Sequence, residues 1–460
     1  MRHDDCAAFE QLYKRHSRVV HRVSPAEDPV GDGDDLVQDV FIRALRRLWR
    51  RLISTAIQIL GVGVLPVLAV AQTARPLPPS FEFSSTASSR CIPVELVANG
   101  LVLMQGRVNG HQGWFILDNA SQGFMVDAEY ARQNSLEISE RATARGAGTS
   151  PIDAGVVHDV RIGLEGVDLT HRNLVVIPLK AIEPVIGHTV NGIIGSRLFD
   201  DLTVVVDYER PCVSIYKPDQ YHPTGKETVF PVRIDSHGFP FLDAAIILPG
   251  MPAVRGNFLI DGGANTFADI YKVFSVAHGI PPRGMKLLDE PGTSTGGRTE
   301  SREGRADRID LGPYSIRNPP ITFGEDTEGL MAATDYAGLI GAEFLERFTV
   351  VFDNPHKHIV LTPNRRYPQV AAYDESGLRI RADPPDFRRF VVTRIVPGSA
   401  AAMAGIMPGD VITSIAGRPA PDLTLTELRE LLRAPNGRYT LGIRRSDRRF
   451  RLQIRLRALI

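Results

Sequence analysis

GWFILDNAS (113–121) and GNFLIDGGA (256–264) are two stretches of the sequence that follow one pattern. In each, an apolar run ends in an aspartate, Asp118 or Asp261, and a turn of small or polar residues follows. Apolar runs that end at such a turn are typical of buried β-strands. The two stretches therefore predict that one structural unit occurs twice in the chain.

Other segments repeat at nearly the same distance. Asp118 and Asp261 are 143 positions apart, and the tripeptide GTS at 148–150 recurs 144 positions later. GIIGSRLFDDLTVVVDYE (192–209) corresponds to GLIGAEFLERFTVVFDNP, 146 positions later. Self-similarity at a fixed distance is the signature of repeated units. We expect two copies of one all-β unit, over residues 92–218 and 226–365.

Each copy also has a later apolar-apolar-Gly segment, IIG (193–195) or LIG (339–341). This arrangement resembles the aspartic proteases of the pepsin and retropepsin type, in the bacterial form with both lobes in one chain. The resemblance implies a mainly β fold of two closed β-barrel lobes related by internal duplication. It also implies an aspartic endopeptidase that acts on a protein or peptide substrate, with no metal and no organic cofactor.

The resemblance assigns the catalytic role to Asp118 and Asp261. Peptide hydrolysis of this kind needs one carboxylate to take a proton from water and another to protonate the substrate. Two carboxylates about 3 Å apart cannot both ionise, so they share one proton. The rest of the two active-site loops would be Asn119, Ala120 and Ser121 in the first copy and Gly262, Gly263 and Ala264 in the second.

Both loops depart from the family pattern Asp-Thr/Ser-Gly-Thr/Ser/Ala. Asn119 and Gly262 stand where the family has a hydroxyl that bonds across to the opposite lobe. Asn119 is polar and can donate across the axis from a longer side chain. Ala120 puts a methyl group at the Gly position, which is tolerated if its φ is negative. A catalytically degenerate peptide-binding or scaffold protein of the cell envelope is therefore the alternative.

Residues 372–460 predict strands and one helix over 424–434, with Thr424 as its cap. The segments VPGSA (396–400) and PGDVI (408–412) resemble a PDZ domain of the bacterial, protease-associated type. Such domains add a partner's C-terminal peptide as a strand and hold its carboxylate with backbone N–H groups. The resemblance places that loop at Gly377, Leu378, Arg379 and Ile380. A PDZ domain that packs on the lobes and binds nothing is the alternative.

The segment 1–50 has helical spacing, and GDGDDLVQDVFIRALRRL (31–48) resembles region 2 of extracytoplasmic-function sigma factors. The resemblance covers only this short helical segment. The formal net charge of the whole chain is zero. Such a balance gives no argument for nucleic-acid binding, and we expect none.

Residues 51–74 read as a signal peptide or a membrane anchor. Arginines precede a mostly apolar stretch, and Ala69-Val70-Ala71 supplies a small-x-small cleavage site. Either interpretation places the later residues outside the cytoplasm, as an exported, periplasmic or outward-facing anchored bacterial protein. We expect residues 75–91 to form a flexible linker. Cys91 and Cys212, near the ends of the first lobe, pair in a disulfide or remain two separate thiols.

Overall fold

The computed structural model of the protein describes residues 80–84, 88–327 and 332–460. The sigma-factor-like fragment and the signal or anchor segment lie outside these residues, so both stay predictions. Among the described residues, no helix is long and apolar enough to span a bilayer. Strands far outweigh helices, so the predicted mainly β fold is confirmed.

Among the described residues from 80 to 216 there are eleven strands and three short helices, and the first two strands begin inside the segment 75–91 that was expected to be a flexible linker. The strands are β1 (Ser80–Phe83), β2 (Ser88–Val97), β3 (Leu101–Val108), β4 (His111–Leu117), β5 (Phe124–Asp127), β6 (Glu140–Ala144), β7 (Ile152–Leu164), β8 (Val167–Ile177), β9 (Gly192–Ile194), β10 (Thr203–Asp207) and β11 (Cys212–Tyr216). The helices are α1 (Ala128–Gln133), α2 (Glu183–Ile186) and α3 (Ser196–Asp201).

The described residues between 228 and 363 follow a similar order. The strands are β12 (Thr228–Pro231), β13 (Arg233–Ile234), β14 (Pro240–Ile247), β15 (Val254–Ile260), β16 (Ala268–Ile270), β17 (Leu288–Asp289), β18 (Gly292–Ser294), β19 (Gly297–Thr299), β20 (Ser301–Arg305), β21 (Arg308–Leu311), β22 (Tyr314–Arg317), β23 (Pro320–Gly324), β24 (Gly338–Ile340), β25 (Phe348–Asp353) and β26 (His358–Pro363). The helices are α4 (Lys272–His278), α5 (Ala342–Leu345) and a 3₁₀ turn at Asn354–His356.

The C-terminal part forms its own sheet and core. Its strands are β27 (Leu378–Asp383), β28 (Arg389–Ile395), β29 (Val411–Ile415), β30 (Arg418–Pro419), β31 (Arg438–Arg445) and β32 (Arg448–Arg455). Its helices are α6 (Ala400–Met403), a 3₁₀ turn at Ala420–Asp422 and α7 (Leu425–Leu432). The predicted cap is confirmed, since the Glu427 N–H donates to Thr424 Oγ1 at 3.1 Å. Helix α7 buries Leu425, Leu428 and Leu432, which share one face of the helix.

Strand pairing around each aspartate follows the same scheme in the two halves. In the first half, β4 runs parallel to β9, β9 antiparallel to β5, and β5 parallel to β8. In the second half, β15, β24, β16 and β23 pair in the same senses. Strands β12, β25 and β26 join the sheet of the first half, however, and the pairings do not define two separate closed barrels. The closed barrels stay a prediction.

The contact between the two halves is centred on β10 and β25. These strands are antiparallel, and Val205 lies opposite Val351. The two residues are 146 positions apart, which is the offset of the sequence repeat in this segment. An antiparallel pair that places corresponding residues opposite each other has a local two-fold axis at that point. This axis relates the end of the first half to the end of the second.

Cys91 and Cys212 form a disulfide, which settles the alternative left open by the sequence. Their Cα atoms are 4.9 Å apart, and the bond links β2 to its neighbour β11 across a loop of 121 residues. Cross-linking so long a loop reduces the conformational entropy of the unfolded chain. The disulfide therefore stabilises the first half from its two ends.

We expect the double substitution Cys91→Ser and Cys212→Ser to lower the free energy of unfolding by about 2–4 kcal/mol, because the unfolded chain regains the entropy of the open loop. Urea unfolding followed by tryptophan fluorescence measures this. A reductant should destabilise the native protein and leave the double variant unchanged. An equal urea midpoint for both proteins would contradict the expectation.

Candidate active site

Asp118 and Asp261 occupy equivalent backbone positions. Each follows a buried strand, β4 or β15, and each donates its N–H to the last residue of the parallel strand beside it. The Asp118 N–H bonds the Ile194 carbonyl at 3.0 Å, and the Asp261 N–H bonds the Ile340 carbonyl at 2.9 Å. The apolar strand fixes the direction in which each aspartate leaves the sheet.

The carboxylates accept matching hydrogen bonds from their own turns. Asp118 Oδ1 accepts from the Ala120 N–H at 2.9 Å, and Asp261 Oδ1 accepts from the Gly263 N–H at 2.8 Å. The Asp118 carboxylate also lies directly against Gly263, where a Cβ atom would overlap it. Position 263 therefore requires glycine, because only a residue without a side chain leaves room for the carboxylate of the other half.

Asn119 bonds the two loops together across the axis. It is only 1% exposed, and its Nδ2 donates to the Ile260 carbonyl at 2.6 Å. Its Oδ1 accepts from the Gly262 N–H at 2.7 Å. The Asn119 side chain thus bonds two backbone groups of the opposite half, the carbonyl of the residue before Asp261 and the N–H of the residue after it. Gly262 offers no side chain in return, so the bridge runs from the first half only.

Burial raises the pKa of both carboxylates. The pKa of Asp118 rises to about 6 because its surroundings exclude water, although the N–H groups of Ala120 and Ser121 oppose the shift. Burial also raises the pKa of Asp261 well above its usual value, and the charge of Asp118 raises it further. Two carboxylates that repel each other in this way hold a proton between them.

An apolar and aromatic wall lies beside both loops. Ala120 and Ala264 pack there with a cluster whose buried members are Phe241, Leu259, Tyr271 and Leu339. The rings of Tyr271 and Tyr336 are 5.4 Å apart. Burial and neighbouring negative charges raise the pKa of Tyr271, so its hydroxyl stays protonated. This wall makes the surroundings of the carboxylates less polar, which raises the energetic cost of charging both.

Asp269 is a third carboxylate near the site, and it was not expected from the sequence. It lies in β16 between buried Ala268 and Ile270, and burial raises its pKa to about 6. Thr266 Oγ1 donates to its Oδ1 at 2.8 Å. A charged residue inside an otherwise apolar strand is the signal that could have identified it. Its negative charge contributes to the raised pKa of Asp261.

The remaining loop residues differ from the family pattern in their contacts. Ala120 does not adopt a positive φ, so its methyl group causes no left-handed strain. Ser121 Oγ donates to Met125 Sδ at 3.6 Å rather than to a carboxylate. The Ala264 carbonyl accepts from the Ala342 N–H at 2.8 Å, as the Ser121 carbonyl does from Ser196. These residues hold the turns against the helices that follow β9 and β24.

Two hairpins meet at their tips. The turn between β6 and β7 contacts the turn between β18 and β19. The Gly148 N–H donates to the Thr295 carbonyl, and the Ser150 N–H donates to the Gly296 carbonyl, both at 2.9 Å. These hairpins lie in the segments 144–155 and 290–304. The two halves are therefore bonded to each other at the hairpin tips as well as at Asn119.

The predicted carboxylate loop of the C-terminal part lies far along the chain from these loops, at the start of β27. The Gly377 N–H donates to Asp374 Oδ1 at 2.9 Å, and the Leu378 N–H donates to Ser376 Oγ at 3.0 Å. Two of the backbone donors offered by this loop thus already have internal acceptors. The role of Gly377, Leu378, Arg379 and Ile380 in binding a peptide stays a prediction.

The described residues contain no group of three or more His, Cys, Asp or Glu side chains placed to hold a metal ion. Asp207 and Asp353 are a second pair of aspartates at equivalent positions of the repeat, and their side chains make structural hydrogen bonds. Asp207 accepts from the Glu209 and Arg210 N–H groups, and Asp353 Oδ1 accepts from Thr203 Oγ1 at 2.9 Å.

We expect Asp118→Asn to raise the free energy of unfolding at pH 7.5 by about 1–3 kcal/mol. The folded-state pKa of about 6 lies above the ordinary 3.8, so ionising Asp118 costs stability as the pH rises through this range. Below pH 3.8 the carboxyl is protonated in both states, and the advantage of Asn should vanish. Urea unfolding at pH 7.5 and pH 3.5 measures it, with exposed Asp243→Asn as the control. Equal gains at both pH values would contradict the expectation.

Two models of known families match the chain. The model described as aspartyl protease matches residues 104–198, which include Asp118 and the loop around it. The model described as PDZ domain matches residues 391–445. A comparison with curated proteins found no match. Residues 104–198 are therefore similar to aspartyl proteases, and residues 391–445 are similar to PDZ domains.

Proposed function

We propose that the protein is an aspartic endopeptidase in which Asp118 and Asp261 form the catalytic pair. The observation that carries this proposal is geometric: two partly buried carboxylates lie at equivalent turns, the Asp118 carboxylate lies against Gly263 of the other turn, and Asn119 bonds one turn to the other. Burying two such charges together costs stability, and a purely structural site gains nothing from it. The aspartyl protease match over the first half supports the same conclusion.

The shared proton divides the work between the two residues. We assign Asp118 as the ionised member, which takes a proton from water as the water oxygen bonds to the peptide carbonyl carbon. Asp261, the protonated member, gives its proton to the carbonyl oxygen, which yields a neutral tetrahedral diol. The proton on Asp118 then passes to the amide nitrogen as the C–N bond breaks. A proton from the diol returns to Asp261, and the products are an acid and an amine.

The two contacting hairpins would cover the substrate. Their tips are bonded to each other through backbone groups, so an extended peptide enters only when these bonds open. The peptide backbone then has the hairpin N–H and carbonyl groups as partners, which favours extended substrates over folded ones. Internal duplication explains why each half supplies one aspartate and one hairpin, and the matched strand pairing supports it.

We place the protein outside the cytoplasm of a bacterium. The Cys91–Cys212 disulfide supports this placement, since such bonds persist in oxidising compartments such as the periplasm. The signal peptide or membrane anchor predicted at residues 51–74 supports it from the sequence. The PDZ domain would bring a peptide or protein partner to the peptidase.

A second candidate is a peptide-binding protein of the cell envelope that has lost catalysis. The one-sided bridge favours it, because Gly262 leaves the second loop without the side-chain contact that Asn119 gives the first. A site that binds but does not cut needs neither aspartate in ionised form. Substituting each aspartate therefore separates the two candidates.

We expect Asp118→Asn and Asp261→Asn each to reduce kcat/KM for an unstructured protein substrate by roughly 100- to 10 000-fold, the range for losing one general acid or base. Hydrolysis of a fluorescently labelled casein at pH 7 measures it, and Asp243→Asn should retain full activity. Activity that survives both substitutions, or no activity in the native protein at any pH, would refute the peptidase.

We expect kcat/KM to fall as the pH is lowered through about 6, since Asp118 is then protonated and no longer accepts a proton from water. Below this value the loss should approach tenfold per pH unit. Asp261 keeps its proton at higher pH, so activity should persist through neutral pH. A pH–rate profile with its maximum near pH 3–4 would contradict the assignment.

A further inference from the structure

Residues of the chain itself lie against the peptide groove of the PDZ domain. In the PDZ sheet, β27 is an edge strand whose sheet partner is β28. A peptide that joins a PDZ domain as an added strand lies along such an edge, beside a helix such as α7. Helix α2, from the aspartyl protease domain, packs against β27 at this place. The approach is close, since a Cβ atom at Gly187 would lie 2.7 Å from the Leu425 Cβ.

Arg429 bonds this segment to the groove. Its guanidinium donates to the Val185 carbonyl at 2.8 Å and to the Ile380 carbonyl at 3.0 Å. Val185 belongs to α2 and Ile380 to the edge strand, so one side chain joins the occupant to both walls. Among the described residues, no carboxylate forms an ion pair with Arg429. Both of these hydrogen bonds go to main-chain carbonyls.

The PDZ domain also holds the base of the second hairpin. Nε and Nη2 of Arg379 donate to the Glu290 carboxylate, each at 2.5 Å, and Arg394 Nη2 donates to it at 2.9 Å. Arg394 Nη1 also donates to the Asp289 carbonyl at 3.0 Å. Glu290 is three-quarters buried, so water screens these pairs less than it would at a free surface. Strands β27 and β28 supply the two arginines.

Glu290 lies at the point where this hairpin begins. Its N–H donates to the Ser301 carbonyl at 2.8 Å, and Ser301 Oγ donates to its carbonyl at 2.6 Å. The strands β18 and β19 follow directly, and the turn between them bonds the other hairpin at Thr295 and Gly296. The hairpin is thus fixed at its tip by the first half and at its base by the PDZ domain.

A third contact ties the PDZ domain to the second half. Arg433, which follows helix α7, pairs with Glu343 of helix α5 at 2.7 Å. A cavity of about 640 Å³ remains between these contacts. The domain is therefore attached to the segment that fills its groove, to the base of the hairpin and to the helix after β24.

We propose that the PDZ domain is an internal latch, in which the chain's own residues 183–187 occupy its peptide groove while Arg379 and Arg394 restrain the hairpin over 290–301. A partner's extended peptide enters this groove only by displacing residues 183–187. Displacement removes the Arg429 contact, loosens the domain from the first half and releases the base of the hairpin. The latched state is the one with low access to the aspartates. The effect on hydrolysis rests on the proposed peptidase, whereas the latch itself does not.

Hydrogen exchange in the full-length protein tests the latch without reference to activity. Glu290→Gln removes the charge that both arginines bind, and we expect the amides of 292–299 to exchange at least about tenfold faster than in the native protein. Glu300→Gln is the matched control, because Glu300 pairs with Arg298 of the same hairpin and not with the PDZ domain. Equal exchange rates in native protein and Glu290→Gln would overturn the proposal.

Arg429→Met tests the groove. We expect faster exchange at residues 183–190 and in the hairpin, while Arg418→Met, which loses an exposed pair with Glu427 on the same domain, should change neither. Exchange of strands β31 and β32 reports whether the domain remains folded. If Arg429→Met unfolds the PDZ domain, the exchange rates of the Glu290→Gln variant test the latch without it. Faster exchange confined to the PDZ domain, with the hairpin unchanged in both variants, would refute the latch.

Casein hydrolysis by the same variants connects the latch to the site. We expect Glu290→Gln and Arg429→Met to raise kcat/KM about fivefold or more, a typical coupling between two sites. Faster hairpin exchange without any hydrolysis in native protein or variants would refute the peptidase and leave the latch standing. Faster exchange with unchanged or lower kcat/KM would refute the statement that latching restricts access.

Discussion

The structure depends on keeping two carboxylates close together in surroundings that exclude water. Burial of an ionised carboxylate is costly, and a second one beside it adds repulsion, so only a shared proton makes the arrangement tolerable. That proton is shared only if the two turns hold their separation. Asn119 provides this constraint by bonding the Ile260 carbonyl and the Gly262 N–H from the opposite half. The parallel strands and the aromatic wall support the same two turns.

The local sequence pattern was enough to predict the buried strands before Asp118 and Asp261 and the turns in which these aspartates lie. An apolar run that ends in Asp118, and its counterpart at Asp261, specify a buried strand, a turn and a chemical group within nine residues. The bond from Asn119 across the axis was foreseen as possible, because its amide is long enough to reach. That the Asn119 amide both donates and accepts across the axis was not foreseen, because this depends on where the backbone of the other half lies.

Contacts between distant parts of the chain gave no local signal. Arg429 lies 244 positions from Val185, and an arginine on an amphipathic helix is ordinary in any sequence. Glu290 pairs with two arginines about 90 and 104 positions later, and nothing around it marks it as different from other surface acids. Asp269 was missed although it stands in an otherwise apolar strand, because the sequence does not show that packing raises its pKa. Such features follow from tertiary placement.

The one-sided bridge at Asn119 makes the two halves non-interchangeable where they meet. A symmetric homodimer needs each subunit to offer the same groups. Two second halves facing each other would have only Gly262 on both sides and no side-chain amide to reach across. Two first halves would each present an asparagine amide with no Gly262 N–H opposite it. The two halves are therefore complementary rather than equivalent at this contact, and each needs the other to complete it.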